Sequence, residues 1–234
     1  MIPGISTAEA RQLYEFLTPE ERAELDKLID LDTRKVIWRP LPGPQTMAFN
    51  STADVIGYGG GAGGGKTDLA IGKSLLHHKR VSYFRVEGTE LNAVVDRIEE
   101  MLNTREGYRG SGREHSWQIN PPISAKAMKI EFGSVPVAGS ERKHRGRPKD
   151  LLVIDEAGEF MELPVRFLMG WVRSTDPKQR CQVLMCFNPP TRQECRWIID
   201  YFAPWIDPLY KGKRAMPGEL RWFAMFKEIG RAHV

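Results

Sequence analysis

The chain is short of cysteine, has no long apolar run and shows no internal repeat, and each shortage removes a class of protein. Three cysteines occur in 234 residues, Cys181, Cys186 and Cys195. An odd number at spacings that fit no zinc pattern argues against a disulfide framework or a zinc module, and reads as reduced thiols in a cytoplasmic compartment. No apolar stretch approaches the roughly 20 residues of a membrane span, and no signal-peptide pattern is in view, so no membrane partner is expected. Charge of one sign does not dominate either. Lys and Arg number 34 against 30 Asp and Glu, a net charge of +4 with a pI near 9.0, which leans towards an anionic partner. Apolar content of 41% and charged content of 27% are ordinary globular values. The length suits one large α/β domain or two small ones.

What the chain does have is glycine, concentrated in one place. Val55-Ile56-Gly57-Tyr58 reads as a short apolar strand that runs into Gly59-Gly60-Gly61-Ala62-Gly63-Gly64-Gly65-Lys66-Thr67. From Gly60 to Thr67 the order fits G-x-x-x-x-G-K-[ST], the phosphate-binding P-loop. Glycines allow the positive φ angles that turn successive N–H groups towards phosphate oxygens. A helix beginning at about Lys66 points its positive end at the same anion. Gly60, Gly61, Ala62, Gly63, Gly64 and Gly65 would form the cradle, Lys66 would reach the β- and γ-phosphates of ATP, and the Thr67 hydroxyl would sit on Mg²⁺. A flexible linker is the bland alternative. The apolar strand before the loop and the helical pattern Leu69, Ile71, Leu75, Leu76 after it argue against that.

The rest of the chain reads as alternating strands and helices. Near the N-terminus Thr18-Pro19-Glu20-Glu21 has the form of a capping box, with Leu25, Leu28 and Ile29 as an apolar face. Trp38–Pro44 is too rich in proline for helix or inner strand and reads as an extended connector. A helical extension over 1–40 and a main domain over 41–227 are therefore expected. Helices are expected at Lys66–His78 and Thr89–Leu102, and strands at Val81–Val86, Leu151–Ile154 and Val183–Phe187. Lys129–Phe132 and Val135–Ala138 flank Gly133-Ser134, which suggests a β-hairpin. Glu194–Phe202 reads as a helix ended by Pro204. Residues 228–234 resemble a translated sequencing adapter, so a non-native tail is expected there. The pattern is that of an α/β fold with a mostly parallel central sheet flanked by helices.

A second motif follows the P-loop by about ninety residues. Leu151-Leu152-Val153-Ile154 would hold a strand inside the sheet, with Asp155 and Glu156 emerging at its end, where open α/β sheets place their ligands. Asp155 would hold Mg²⁺, and Glu156 would orient and deprotonate an attacking water. The run Glu141–Lys149 is the densest positive stretch in the chain. It reads as a solvated loop, as a contact for nucleic-acid phosphates, or as the carrier of an arginine finger that acts on a neighbouring subunit. Arg145 is the first candidate for that finger, with Arg142 and Arg147 behind it. Asn188, after an apolar strand, either senses the γ-phosphate or starts a turn before Pro189-Pro190. Gln45 could hydrogen-bond an adenine edge or be an ordinary surface amide. Arg85 faces either a phosphate or partner, or makes a surface ion pair. Trp171, Trp197, Trp205 and Trp222 read as packing residues.

Taken in order, Trp38–Gln45, Gly60–Thr67 with Asp68-Leu69-Ala70, Phe84-Arg85, Arg145-Gly146, Asp155-Glu156-Ala157 and Phe187-Asn188-Pro189-Pro190 resemble the ATPase domain of the large terminase subunit of tailed bacteriophages. The resemblance covers about Leu17 to Phe226. It implies a P-loop domain of the additional-strand (ASCE) type, followed in the family by a nuclease domain that this chain does not reach. It further implies ATP hydrolysis that drives double-stranded DNA into a capsid. The protein would act as a homo-oligomeric ring docked on the portal protein in the host cytoplasm, with the small terminase subunit as a further partner. By position Gln45 would match the adenine-reading motif, Arg145 the finger acting in trans, and Asn188 the motif coupling hydrolysis to movement. The family motif would begin with a small hydroxylated residue or glycine where this chain has Cys186. Other nucleic-acid-dependent P-loop ATPases, such as a helicase or repair motor, and a nucleotide-binding structural subunit without turnover are the competing readings.

Overall fold

The computed structural model describes residues 18–22, 37–224 and 231–233, apart from residues 62, 111–114, 122 and 125. The chain divides into two compact units, 1–37 and 38–234. In the first, the expected capping box is present. The Thr18 hydroxyl accepts the Glu21 N–H at 3.3 Å, and the Glu21 carboxylate accepts the Thr18 N–H at 2.9 Å. The apolar face at Leu25, Leu28 and Ile29 lies outside the described residues.

The second unit opens with a helix the sequence did not suggest, α1 (Pro44–Asn50). The last proline of the connector takes the first helical turn, where a missing N–H does no harm. Gly43 precedes it at φ 92°. The sheet strands are β1 (Val55–Gly59), β2 (Arg80–Arg85), β3 (Tyr108–Arg109), β4 (Ser116–Ile119), β5 (Met128–Ser134), β6 (Leu151–Asp155) and β7 (Gln182–Phe187). They lie in the order β1-β7-β6-β2-β5-β4-β3. The first five of these run parallel, and β4 and β3 are antiparallel additions. The strand that follows the acidic motif, β7, thus sits between the P-loop strand β1 and the acidic strand β6. This is an α/β fold with the additional strand that the resemblance implied.

Two helices between strands have plain causes. In α2 (Lys66–His77), Leu69, Ile71 and Leu75 are buried, and the helix lies against β6 and β7. In α3 (Leu91–Leu102), burial of Leu91, Val94, Val95, Ile98, Met101 and Leu102 follows the helical repeat. Asn103 ends it in the left-handed conformation and donates its N–H to Glu99 O at 2.7 Å. α4 (Glu162–Met169), α5 (Trp197–Tyr201) and α6 (Ala203–Ile206) follow. Every residue of β6 is buried, as expected for a strand covered on both faces. On one face Leu152, Ile154, Val183 and Met185 join Phe160, Val165, Leu168 and Phe202 in one cluster. Trp197 belongs to that cluster and Trp205 packs against it.

Two expectations need correction. Gly133-Ser134 is not a hairpin turn: β5 runs straight through it, parallel to β2. A Cβ on Gly133 would stand 2.4 Å from the Phe84 ring and 2.8 Å from the His144 ring, so the glycine marks close packing rather than a reversal. The helix expected over Glu194–Phe202 begins later, α5 running from Trp197 to Tyr201; it stops just before Pro204 as expected, and Pro204 also lies in the first turn of α6. A separate two-stranded ribbon pairs β8 (Trp222–Ala224) with β9 (Arg231–His233). Among the described residues, no helix is long and apolar enough to cross a membrane.

Candidate functional site

The glycine-rich loop leaves β1 and closes on the first turn of α2. Gly60, Gly63 and Gly65 have φ of 153°, 80° and 66°, which side chains other than glycine rarely adopt. Gly65 caps α2 in the left-handed conformation, so the N-terminal N–H groups of that helix open into the loop. Lys66 is 8% exposed, and its ammonium donates to Gly61 O at 2.7 Å and Gly60 O at 3.2 Å. The lysine therefore folds across its own loop, held by carbonyls that a phosphate oxygen would outcompete on charge. The Tyr58 hydroxyl ties the far side of the loop through Gly64 O at 3.1 Å. Ala62 lies outside the described residues.

Asp155 ends β6 with its side chain wholly buried. One oxygen, Oδ2, accepts from Tyr83 OH at 2.7 Å, from Arg85 Nη2 at 2.7 Å and Nε at 3.0 Å, and from Thr67 Oγ1 at 3.4 Å. The other, Oδ1, is buried without a partner. A buried carboxylate oxygen left unpaired is costly unless something is meant to meet it. With the Thr67 hydroxyl alongside, Asp155 presents the hard oxygen donors that suit Mg²⁺. Tyr83 is held protonated, well above its ordinary range, by burial first and then by the charge of Asp155. Burial alone would lower Arg85, but Asp155 more than reverses that and keeps the guanidinium charged.

Glu156 follows at φ 58° and ψ 43°, an uncommon conformation for a residue with a side chain. Burial and then the neighbouring Asp155 raise its carboxyl above the usual range, which makes it a stronger base once ionised. Asn188, just beyond β7, donates its amide to Glu156 Oε2 at 3.5 Å, and its own Oδ1 is buried without a partner. Gly158 allows this approach, since a Cβ there would stand 2.5 Å from the Asn188 carbonyl. The ends of β1, β6 and β7 thus bring Lys66, Thr67, Asp155, Glu156 and Asn188 together.

Gln45 and Arg145 are placed differently. Gln45 is buried, its Oε1 accepting the Leu41 N–H at 2.5 Å and its Nε2 donating to Gly65 O at 2.9 Å. Its amide thereby locks the connector to the P-loop. Lys73, 1% exposed, secures the other end of α1 by donating to Phe49 O at 2.8 Å. Arg145 is exposed on the turn after Ser140–His144, and among the described residues no side-chain bond joins it to the site. Arg142 and Arg147 are exposed as well, and Arg147 lies 4.0 Å from Glu131.

Sequence reasoning did not single out Tyr83, and it left Arg85 open. The signal was the Tyr83-Phe84-Arg85 alternation, which sends residues 83 and 85 to one face of a strand end adjoining β6. Cys186 was noticed only as a departure from a pattern. Buried on β7, its Sγ approaches Lys66 O at 3.6 Å, and burial, followed by the charge of Asp155, pushes its thiol well above the usual range.

Solved structures that resemble this fold include two phage large terminases. The large terminase of bacteriophage HK97 is 15% identical, with a TM-score of 0.44 over 63% of this chain and 32% of that one. The large terminase of a thermophilic bacteriophage is 17% identical, with a TM-score of 0.46 over 64% of this chain and 39% of that one. The match thus spans about 32% to 39% of the length of those proteins. No protein-family model and no curated protein matches the chain.

Proposed function

We propose that this chain hydrolyses ATP with Mg²⁺ as part of a motor that moves double-stranded DNA into a phage capsid, in the manner of a large terminase ATPase domain. One observation carries the hydrolytic part. The loop lysine, the Thr67–Asp155 pair and a strained, basic glutamate converge at the ends of β1, β6 and β7. The packaging role rests on the order of motifs from Gln45 to Asn188 that resembles that family.

In this reading Lys66 exchanges the carbonyls of Gly60 and Gly61 for the β- and γ-phosphates. Thr67 and Asp155 hold the Mg²⁺, which would neutralise charge on the phosphate oxygens. Glu156 takes a proton from water as the water oxygen bonds to the γ-phosphorus. The bond from that phosphorus to the bridging oxygen breaks, giving ADP and phosphate. Asn188 keeps the Glu156 carboxylate aimed. Arg145, exposed and without a partner of its own among the described residues, would complete the site of the next subunit in a ring. The portal protein and the small terminase subunit would be its assembly partners in the host cytoplasm.

The test is ATP turnover per subunit across protein concentration, for the wild type and Arg145→Ala, with and without duplex DNA. Specific activity should climb with concentration, rise with DNA, and fall by about 10³-fold or more in the variant. Flat activity indifferent to Arg145 and DNA would point to a self-contained ATPase outside a packaging ring. No turnover under any condition would favour a nucleotide-binding structural subunit.

A further inference from the structure

We infer that Arg85 is a tethered cation that keeps free divalent metal off Asp155, so that metal loading depends on nucleotide. The inference rests on the reading above only in assigning Asp155 and Thr67 to the metal. Asp155 has no exposed surface, and a fully buried carboxylate has to be paired with a cation or neutralised. In this site Arg85 supplies the pairing through two nitrogens on Oδ2, at 2.7 and 3.0 Å. The same Nη2 lies 3.4 Å from Thr67 Oγ1. One guanidinium therefore touches both residues whose oxygens would receive Mg²⁺.

The arrangement is built rather than incidental. Arg85 and Asp155 end neighbouring parallel strands, whose register pairs Phe84 with Ile154. The Arg85 side chain is only 15% exposed, and Tyr83 braces the same carboxylate oxygen from two residues earlier on β2. A divalent ion that arrived alone would meet a positive group in hydrogen-bond contact with its intended ligand. Both side chains are largely buried, which weakens the screening between the two charges and makes the repulsion strong. A triphosphate changes the balance. Its negative charge outweighs the guanidinium, and it offers Arg85 and Lys66 new acceptors beside the ones they already hold. Metal then becomes favourable because nucleotide has arrived. An empty subunit stays charge-balanced without trapping an ion.

The experiment is Mn²⁺ titration followed by electron paramagnetic resonance on nucleotide-free protein, comparing wild type, Arg85→Gln and the double variant Arg85→Gln with Asp155→Asn. Glutamine keeps a hydrogen-bond donor but removes the charge. Wild type should bind Mn²⁺ no better than the Asp155→Asn double variant, while Arg85→Gln should bind roughly tenfold tighter or more. Adding ADP should bring Mn²⁺ onto the wild type. Equal Mn²⁺ affinity in wild type and Arg85→Gln would overturn the inference. So would tightening that survives Asp155→Asn. If Arg85→Gln does not fold, the wild type still decides: Mn²⁺ held tightly without nucleotide would sink the proposal, and Mn²⁺ held only with ADP would support it. A wild type that binds no nucleotide at all would refute the ATPase reading, while the nucleotide-free comparison would still judge Arg85.

Discussion

Asn188 holds Glu156 through a 3.5 Å hydrogen bond to Oε2 while the glutamate backbone sits in the left-handed region, at φ 58° and ψ 43°. That conformation costs a residue with a side chain roughly 1–2 kcal/mol, so its surroundings impose it. Strain of this kind collects at sites where a side chain must be aimed. Asparagine tolerates the left-handed region better than glutamate. Glu156→Asn should therefore leave stability unchanged or raise it by up to about 1 kcal/mol, while ATP turnover falls by about 10²-fold or more. Urea unfolding and a steady-state ATPase assay check the two halves. A clear loss of stability would mean that the carboxylate itself holds the turn.

Asn188 makes a separate prediction about pH. Its amide donates to the ionised form of Glu156, and so favours that form. Burial and Asp155 work in the opposite direction and win, leaving the carboxyl raised above 4.5. A base must be ionised to act, so turnover should fall on the acid side with a midpoint above 4.5. Asn188→Ala withdraws the donor. Its acid limb should move to higher pH, and kcat should drop by about tenfold or more with KM for ATP little changed. A KM change with an unmoved acid limb would place Asn188 on the nucleotide instead.

The parts of this site that were legible in the sequence are those fixed by local order. The loop from Gly60 to Thr67 and the strand carrying Asp155 and Glu156 are contiguous, so composition and spacing were enough. The parts that were not legible depend on which strands become neighbours. Arg85 reaches Asp155 only because β2 pairs with β6, and Asn188 reaches Glu156 only because β7 enters beside β6. Gly133 misled for a related reason. A glycine between apolar runs reads as a turn, whereas in this fold it makes room for Phe84 and His144. A proline misled in the same way at α1, where Pro44 starts a helix rather than preventing one.

Gln45 was read as a residue that could meet an adenine edge, and its amide is engaged at both ends by backbone. Gln45→Ala would leave the Leu41 N–H and Gly65 O without those partners, a loss of about 1–3 kcal/mol where such groups stay buried. Since Gly65 caps the P-loop helix, weaker ATP binding should accompany the loss of stability. The check is thermal unfolding together with the affinities for ATP and GTP. A stability loss that weakens both nucleotides alike fits the clamp. Selective loss of ATP with unchanged stability would assign Gln45 to the base.

The wall that carries Arg145 should respond to acid through the residue before it. His144 is 9% exposed and packs edge-on to Phe84 with ring centroids 4.7 Å apart. Burial, with Lys143, Arg147 and Lys149 nearby, pulls its imidazole from 6.5 down to about 4. The folded protein thus keeps His144 neutral where the unfolded chain would protonate it. Stability is then full above pH 6.5 and is lost as pH falls towards 4, because over that window the unfolded state binds the extra proton. Between about pH 6.5 and 5 the effect is up to about 2 kcal/mol. Urea unfolding of wild type and His144→Gln at about pH 7 and about pH 5 isolates it. The wild type should lose more stability than the variant over that interval. An equal loss would show that His144 takes up its proton inside the fold, and would remove it as the acid-sensitive element of the loop.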